Sequence, residues 1–213
     1  MYDSKTGIYM HTINTFKNEG LYKNESAYYL KYNSAKGIYA IEKLFEIFEG
    51  NTQEKCFYYH MYLDLLFQSV GMIINRFKPH KRSGNLFEQA KSNRIEYDYN
   101  KNNYPLLNNK SFRNFIEHID ERDEKLIDNN MYNGTFNLIY PNMDIKTKKE
   151  LLNSEKPQNN LLNLEDMTYT ILDSDNKDVP NIEKKIININ ELKEELIKIN
   201  KISTTIWDYL HEF

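Results

Sequence analysis

At 213 residues, 40% of them apolar, the chain is long enough for one substantial core, or one domain with a small appendage, and wholesale disorder is excluded. A formal net charge of −3 argues against a protein that coats nucleic acid non-specifically and leaves room for a local basic site. The single cysteine, Cys56, excludes an internal disulfide and any multi-thiolate metal site, which fits a reducing, cytoplasmic setting.

No basic-then-apolar leader opens the chain, and no apolar run approaches the roughly 20 residues that a bilayer span needs. The longest candidate, Leu63 to Phe77, is interrupted by Asp64, Gln68, Asn75 and Arg76. A soluble protein without a membrane partner is expected. Lys, Asn, Ile and Tyr are abundant while Ala, Gly and Arg are scarce, the bias that an AT-rich coding sequence produces. The early tyrosines (Tyr2, Tyr9, Tyr22, Tyr28, Tyr29, Tyr32 and Tyr39) suit base stacking, or they stand in for other large apolar residues. The second reading is the one expected.

Residues 1–24 lack sustained periodicity and are expected to form an irregular or mobile arm. Ile41, Leu44, Phe45 and Phe48 follow an i, i+3, i+4, i+7 stripe, predicting a helix from about residue 25 to 49 that stops at Gly50-Asn51. Val70, Ile73, Ile74 and Phe77 repeat the stripe in a second helix over 52–77, which Pro79 stops. Leu86, Ala90 and Tyr97 mark a shorter, more exposed helix between Lys81 and Tyr99. A strong helix is predicted over 106–128, with Phe112, Phe115, Ile116, Ile119, Leu126 and Ile127 as its stripe.

The character then changes. Thr135–Tyr140, Thr168–Leu172 and Lys185–Ile189 are short β-type runs bounded by Asn, Asp, Gly and Pro, the last two a hairpin joined through Asp-Ser-Asp-Asn-Lys-Asp. The polar segment 142–165 reads as a long loop with a short helix at most. A closing helix from Asn190, its expected cap, carries Leu192, Leu196, Ile199, Ile206 and Leu210.

The residues that carry chemistry lie on the strong helix. With Phe112 at zero and about 100° per residue, its apolar positions fall within about 60° of one direction. Arg113 then lies near +100° and His118 near −120°, flanking an exposed face that also holds Asn114, Glu117 and Glu121. A guanidinium holds a phosphate through paired hydrogen bonds and stabilises the charge that develops in attack. An imidazole titrates near neutrality and exchanges protons with a 2′-hydroxyl or a leaving oxygen. RNA brings its own nucleophile, so the chemistry needs no metal and no cofactor. One outward helix face closes no pocket by itself; the same face of a second copy is the simplest supplier of the other wall.

The string Arg113-Asn114-Phe115-Ile116-Glu117-His118 resembles the motif of the HEPN superfamily, whose ribonucleases carry Arg followed at short spacing by His, often with a polar residue after the Arg. Four residues intervene here, Asn114 takes the polar position, and the resemblance covers about residues 25–130. It implies a homodimer, a composite interface site, metal-independent RNA cleavage, and a role in toxin–antitoxin control or antiviral defence beside an antitoxin or another defence protein. Arg113 would hold the phosphate, His118 would transfer the proton, and Asn114 would orient one or the other, with Glu117 as a candidate modulator. The chain departs from one subtype: Asp120 stands where toxins regulated by tyrosine modification carry Tyr, and the acidic run Asp120–Glu124 follows.

Two plainer readings stay open. Arg113/Glu117 and His118/Arg122 are i, i+4 pairs of the kind that solvated helices carry for solubility. A HEPN-like module can also bind a partner without cleaving RNA.

Elsewhere, His80-Lys81-Arg82 is the most basic short patch and a candidate RNA guide. His60 reads as a packed or interfacial histidine, and Cys56 as a small core residue. His11 and His211 point to nothing specific. Glu117, Asp120, Glu121 and Asp123 do not converge from one helix, so no metal site is expected, and the seven scattered glycines make no phosphate-cradling loop. The expected architecture is mainly α: an irregular arm (1–24), a HEPN-like helical bundle (25–130), and a C-terminal α+β extension (131–213) with a small β-hairpin and a closing helix, packed on the helical domain.

Overall fold

The computed structural model describes residues 2–3, 8–9, 21–46, 52–77, 104–107, 109, 112, 116, 137–140, 142–153, 160–174 and 182–211. Helix dominates them. The long helices are α1 (Leu21–Glu46), α2 (Thr52–Phe77) and α4 (Ile189–His211), with a short α3 (Ile145–Leu152) between. None of the helices among the described residues is long and apolar enough to cross a membrane.

The chain divides into two compact units, Met1–Asn109 with Lys193–Phe213, and Lys110–Leu192. In the first, α1 buries Ala27, Leu30, Ser34, Gly37, Ala40, Ile41 and Leu44, one continuous i, i+3, i+4 stripe. From α2, Tyr59, Leu63, Leu66, Ser69, Val70, Ile73 and Ile74 form the facing stripe. The predicted stripes therefore hold at Ile41, Leu44, Val70, Ile73 and Ile74, while Phe45 is half-buried.

Several of α1's buried positions are small, which lets its neighbours approach closely. An added Cβ at Gly37 would stand 3.0 Å from Leu196 Cδ1 on α4 and 3.5 Å from Ser69 Cβ on α2. Helix α4 runs antiparallel to α1: Tyr28 meets Trp207, Lys31 meets Asp208 at 3.3 Å, and Glu42 meets Lys193 at 3.0 Å. These exposed ion pairs align the helices more than they stabilise them. Inside, Asn200 Nδ2 donates to the Lys31 carbonyl (3.0 Å) and to Ser34 Oγ (3.1 Å). Buried Ser34, Ser69 and Ser203 each donate to the carbonyl four residues back, so no hydroxyl of this set is left unsatisfied.

The arm is more regular than its sequence indicates. Strands β1 (Tyr2–Asp3) and β2 (Ile8–Tyr9) pair antiparallel, Tyr2 opposite Tyr9, and α1 begins at Leu21 rather than near residue 25.

The second unit holds a four-stranded sheet in the order β3 (Asn137–Ile139), β4 (Leu161–Asn163), β5 (Thr168–Ser174), β6 (Ile182–Asn188). The expected hairpin is β5–β6, in register from Thr168 opposite Asn188 to Ser174 opposite Ile182. Strand β4 and its parallel pairing with β3 correct the expectation of a loop over 142–165. Parallel neighbours need a crossover, and α3 lies within it. Consecutive residues of β4 (Leu161, Leu162, Asn163) and of β5 (Tyr169 to Leu172) are buried, so both faces of the central strands are covered.

Local side chains shape the connections. Asn163 Oδ1 accepts from the Glu165 (3.0 Å) and Asp166 (3.4 Å) amides, and its Nδ2 donates to Asp166 Oδ2 (2.7 Å), building the β4–β5 turn. Lys148 on α3 pairs with Glu165 of that turn. The cap of α4 is Asn188, not Asn190: its Oδ1 accepts from the Asn190 (3.0 Å) and Glu191 (3.1 Å) amides, because the helix starts at Ile189.

Asp144 caps α3, accepting from the Thr147 amide at 2.9 Å and the Thr147 hydroxyl at 3.0 Å. Those bonds, the amide's first, hold its carboxyl below the usual aspartate range. A carboxyl whose native value lies below its unfolded one contributes stability above the unfolded value and loses it as pH falls through the native one. Asp144→Ala should therefore lower the melting temperature by a constant few degrees above about pH 5, with the gap to wild type closing below about pH 4. Circular-dichroism melts across that range give the answer; a gap unchanged at pH 3 would mean the charge contributes nothing.

Candidate functional site

Of the string on which the site reading rests, Ile116 is described, as is Phe112 just before it; both are helical. Phe112 is buried at 1% exposure and Ile116 is half-buried. Of the two, Phe112 is the more deeply buried. Arg113, Asn114, Glu117 and His118 lie outside the described residues, as do His80, Lys81 and Arg82 and the helix expected over 81–99.

The lead-in to that helix is built from buried apolar anchors. Tyr104 and Leu107 are each 1% exposed, Pro105 faces solvent, and the Asn109 amide donates to the Leu106 carbonyl at 3.0 Å. The amides of Leu106 and Leu107 donate to the two carboxylate oxygens of Glu195 on α4, at 2.9 and 3.0 Å. Glu195 itself is 4% exposed. Its sequence signal was an acid beside the apolar stripe of Leu192, Leu196 and Ile199, a place where an unpartnered carboxylate would be costly.

A second feature is the placement of four of the early tyrosines. Tyr28, Tyr29, Tyr32 and Tyr39 of α1 are exposed, Tyr28 by 48% and Tyr32 by 53%. The reason is the close helix packing: small residues occupy the buried stripe, and the bulky rings take the opposite face. Tyr28 and Tyr32 lie one turn apart with ring planes 10° from parallel and centroids 6.1 Å apart, and the Trp207 ring stands 5.3 Å from Tyr28. Farther along α1, Tyr39 meets Tyr62 edge-on at 6.2 Å, with the Lys43 ammonium 5.6 Å from the Tyr39 ring centre. Sequence reasoning overlooked Trp207, the chain's single tryptophan.

The electrostatics of this face do not favour proton transfer near neutrality. A hydrogen bond to Glu46 raises the Lys43 ammonium, and burial, followed by Tyr39, raises the Tyr62 hydroxyl, both away from pH 7. His60 is exposed on α2, so of the two readings, packed or interfacial, it is not packed within the described residues. Cys56 lies in α2, and its side chain is outside the description. Among the described residues, no three His, Cys, Asp or Glu side chains gather as metal ligands. The depression beside α3, lined by Asp144, Ile145, Lys149 and Glu150, draws its walls from one short stretch and cannot enclose a ligand.

No family model, no curated protein and no solved structure matches the chain.

Proposed function

We propose that the chain is a metal-independent endoribonuclease of the HEPN type, cleaving RNA at a composite site made by two copies, in toxin–antitoxin control or antiphage defence. The reading rests on the Arg113-Asn114-x-x-x-His118 string, and the observation that carries it is the helical state of Phe112 and Ile116 with Phe112 fully buried. On this reading Arg113 and His118 flank a polar face of that helix. The 2′-hydroxyl of the substrate attacks the adjacent phosphorus and its proton passes to an imidazole. The 5′-oxygen leaves with a proton, giving a cyclic phosphate and a free 5′-hydroxyl. Arg113 holds the phosphate oxygens, Asn114 orients phosphate or imidazole, Glu117 modulates the imidazole, and His80, Lys81 and Arg82 guide the RNA backbone. The setting is the cytoplasm, with an antitoxin or another defence protein as partner.

The test is purified protein with end-labelled RNA in EDTA, beside its mass in solution. Cleavage that resists the chelator, from a dimer, is expected. A strict monomer, or a wild type that leaves RNA intact with and without its partner, sinks the reading.

One observation favours a second reading, a non-catalytic helical module that dimerises or binds a partner protein: the exposed Tyr28 and Tyr32 and the half-buried Trp207 join α1 to α4, and aromatic residues of this kind are enriched where proteins meet. Tyr28→Ser with Tyr32→Ser separates the two. Loss of dimer or partner binding, from a wild type without ribonuclease activity, supports the module.

A further inference from the structure

The chain leaves its first unit after Asn109 and returns to it at Lys193. Beside both points stands the same contact. Glu195, two residues beyond Lys193, reaches Leu106 and Leu107, which lie just before the exit. The partners are 89 and 88 residues apart in sequence. Oε1 takes the Leu106 amide and Oε2 the Leu107 amide, so each carboxylate oxygen has its own donor.

Burying a carboxylate is unfavourable unless both oxygens are satisfied, and a well-packed apolar side chain would fill the volume at no such cost. What the carboxylate adds is direction. Two backbone donors, bound one to each oxygen, fix the orientation of the turn they belong to as well as its distance from α4. The donors are main-chain groups, so Glu195 is the only replaceable half of the contact. Three residues past Asn109 the chain is helical again at Phe112, and Arg113 follows it in sequence.

We propose that Glu195 is a positioning residue: it holds the turn of Leu106 and Leu107 to α4, and so sets the direction in which the chain leaves that turn. The inference rests on the nuclease reading for its catalytic consequence, since phosphate holding and proton transfer tolerate displacements well under about 1 Å. The clamp itself does not depend on that reading.

Glu195→Gln tests it. Glutamine keeps the shape but turns an –NH₂ toward one of the two amides, setting donor against donor. Amide exchange at Leu106 and Leu107 should quicken about tenfold or more, while Val70 and Ile73 in the core of α2 keep their protection. On labelled RNA, kcat should fall by about tenfold with KM little changed. Glu195→Asp, charged but one methylene short, should lie between, and it is the variant to read if Val70 and Ile73 lose protection in the Gln form. Unchanged exchange at Leu106 and Leu107 overturns the clamp. Faster exchange with kcat intact overturns the positioning role and leaves the nuclease reading standing. A wild type that never cleaves RNA removes the nuclease reading, and the positioning role with it, while exchange still decides the clamp.

Discussion

Gly37→Val is expected to destabilise the protein by about 2–3 kcal/mol, and Leu196→Ala to return part of that loss when the two are combined. A first side-chain atom at Gly37 already meets Leu196 Cδ1 at 3.0 Å and Ser69 Cβ at 3.5 Å. Alanine is tolerable there. The nearer neighbour is the far end of a flexible side chain, and the gain of about 1 kcal/mol from removing a helical glycine offsets the crowding. Valine adds two further methyls between three helices at native packing density, with no room for both and little freedom to rotate. Leu196→Ala alone should cost about 3 kcal/mol, because Leu196 is fully buried and its removal leaves a cavity. In the double variant the valine methyls occupy part of that cavity, so the combined loss should fall short of the sum by about 1 kcal/mol or more. Urea titrations with equal m-values measure it. Strict additivity would mean that Gly37 and Leu196 do not share the space between α1 and α4.

How much of this was legible in the sequence follows the range of the interactions. Helix α2 was readable to its ends, since Val70, Ile73 and Ile74 write the stripe locally and Pro79 marks the stop. The β5–β6 hairpin was readable for the same reason: its strands lie either side of a turn-rich segment. Strand β4 was not. Its three residues show no alternation that would reveal its local pairing with β5, and its parallel partner β3 lies more than 20 residues upstream. That Tyr28, Tyr29, Tyr32 and Tyr39 face outward was not legible, because residue type alone says nothing of which side of a helix is crowded. Ala27, Gly37 and Ala40 carried that information, as a small-residue stripe whose meaning depends on α4, more than 150 residues away. The start of α4 was misplaced by two residues, Asn188 and Asn190 being equally good caps until a backbone direction chooses between them.

The candidate site stands differently. The Arg113–His118 string is a statement about chemistry, and of its neighbourhood the structure describes Phe112, buried, and Ile116, half-buried. Glu195 shows the complementary case. A carboxylate at the edge of an apolar stripe signals a buried partner, and the sequence holds no hint that the partner is the backbone of residues 106 and 107.

The motif variants carry the largest expected effect. His118→Ala should lower the rate of RNA cleavage by about 10²–10⁴-fold, the usual contribution of a positioned proton-transfer group, and Arg113→Ala by about 10²–10³-fold, that of a donor to developing charge. Both should leave the melting temperature nearly unchanged, since the proposal puts both side chains on a polar face rather than in the core. Phe112→Ala, by contrast, should cost about 3–5 kcal/mol. The composite-site proposal makes a sharper demand. In a two-fold dimer whose sites each take Arg113 from one copy and His118 from the other, a mixed dimer of the two inactive variants retains one intact site. Random reassortment makes about half of the dimers mixed, each with one working site of two, so the mixture should recover about a quarter of wild-type activity. Sites that draw both residues from one chain predict no recovery at all. Co-expression of the two variants with distinguishable tags, followed by cleavage assays on the mixed species, separates these arrangements, and inactive mixed dimers would leave the composite site without support.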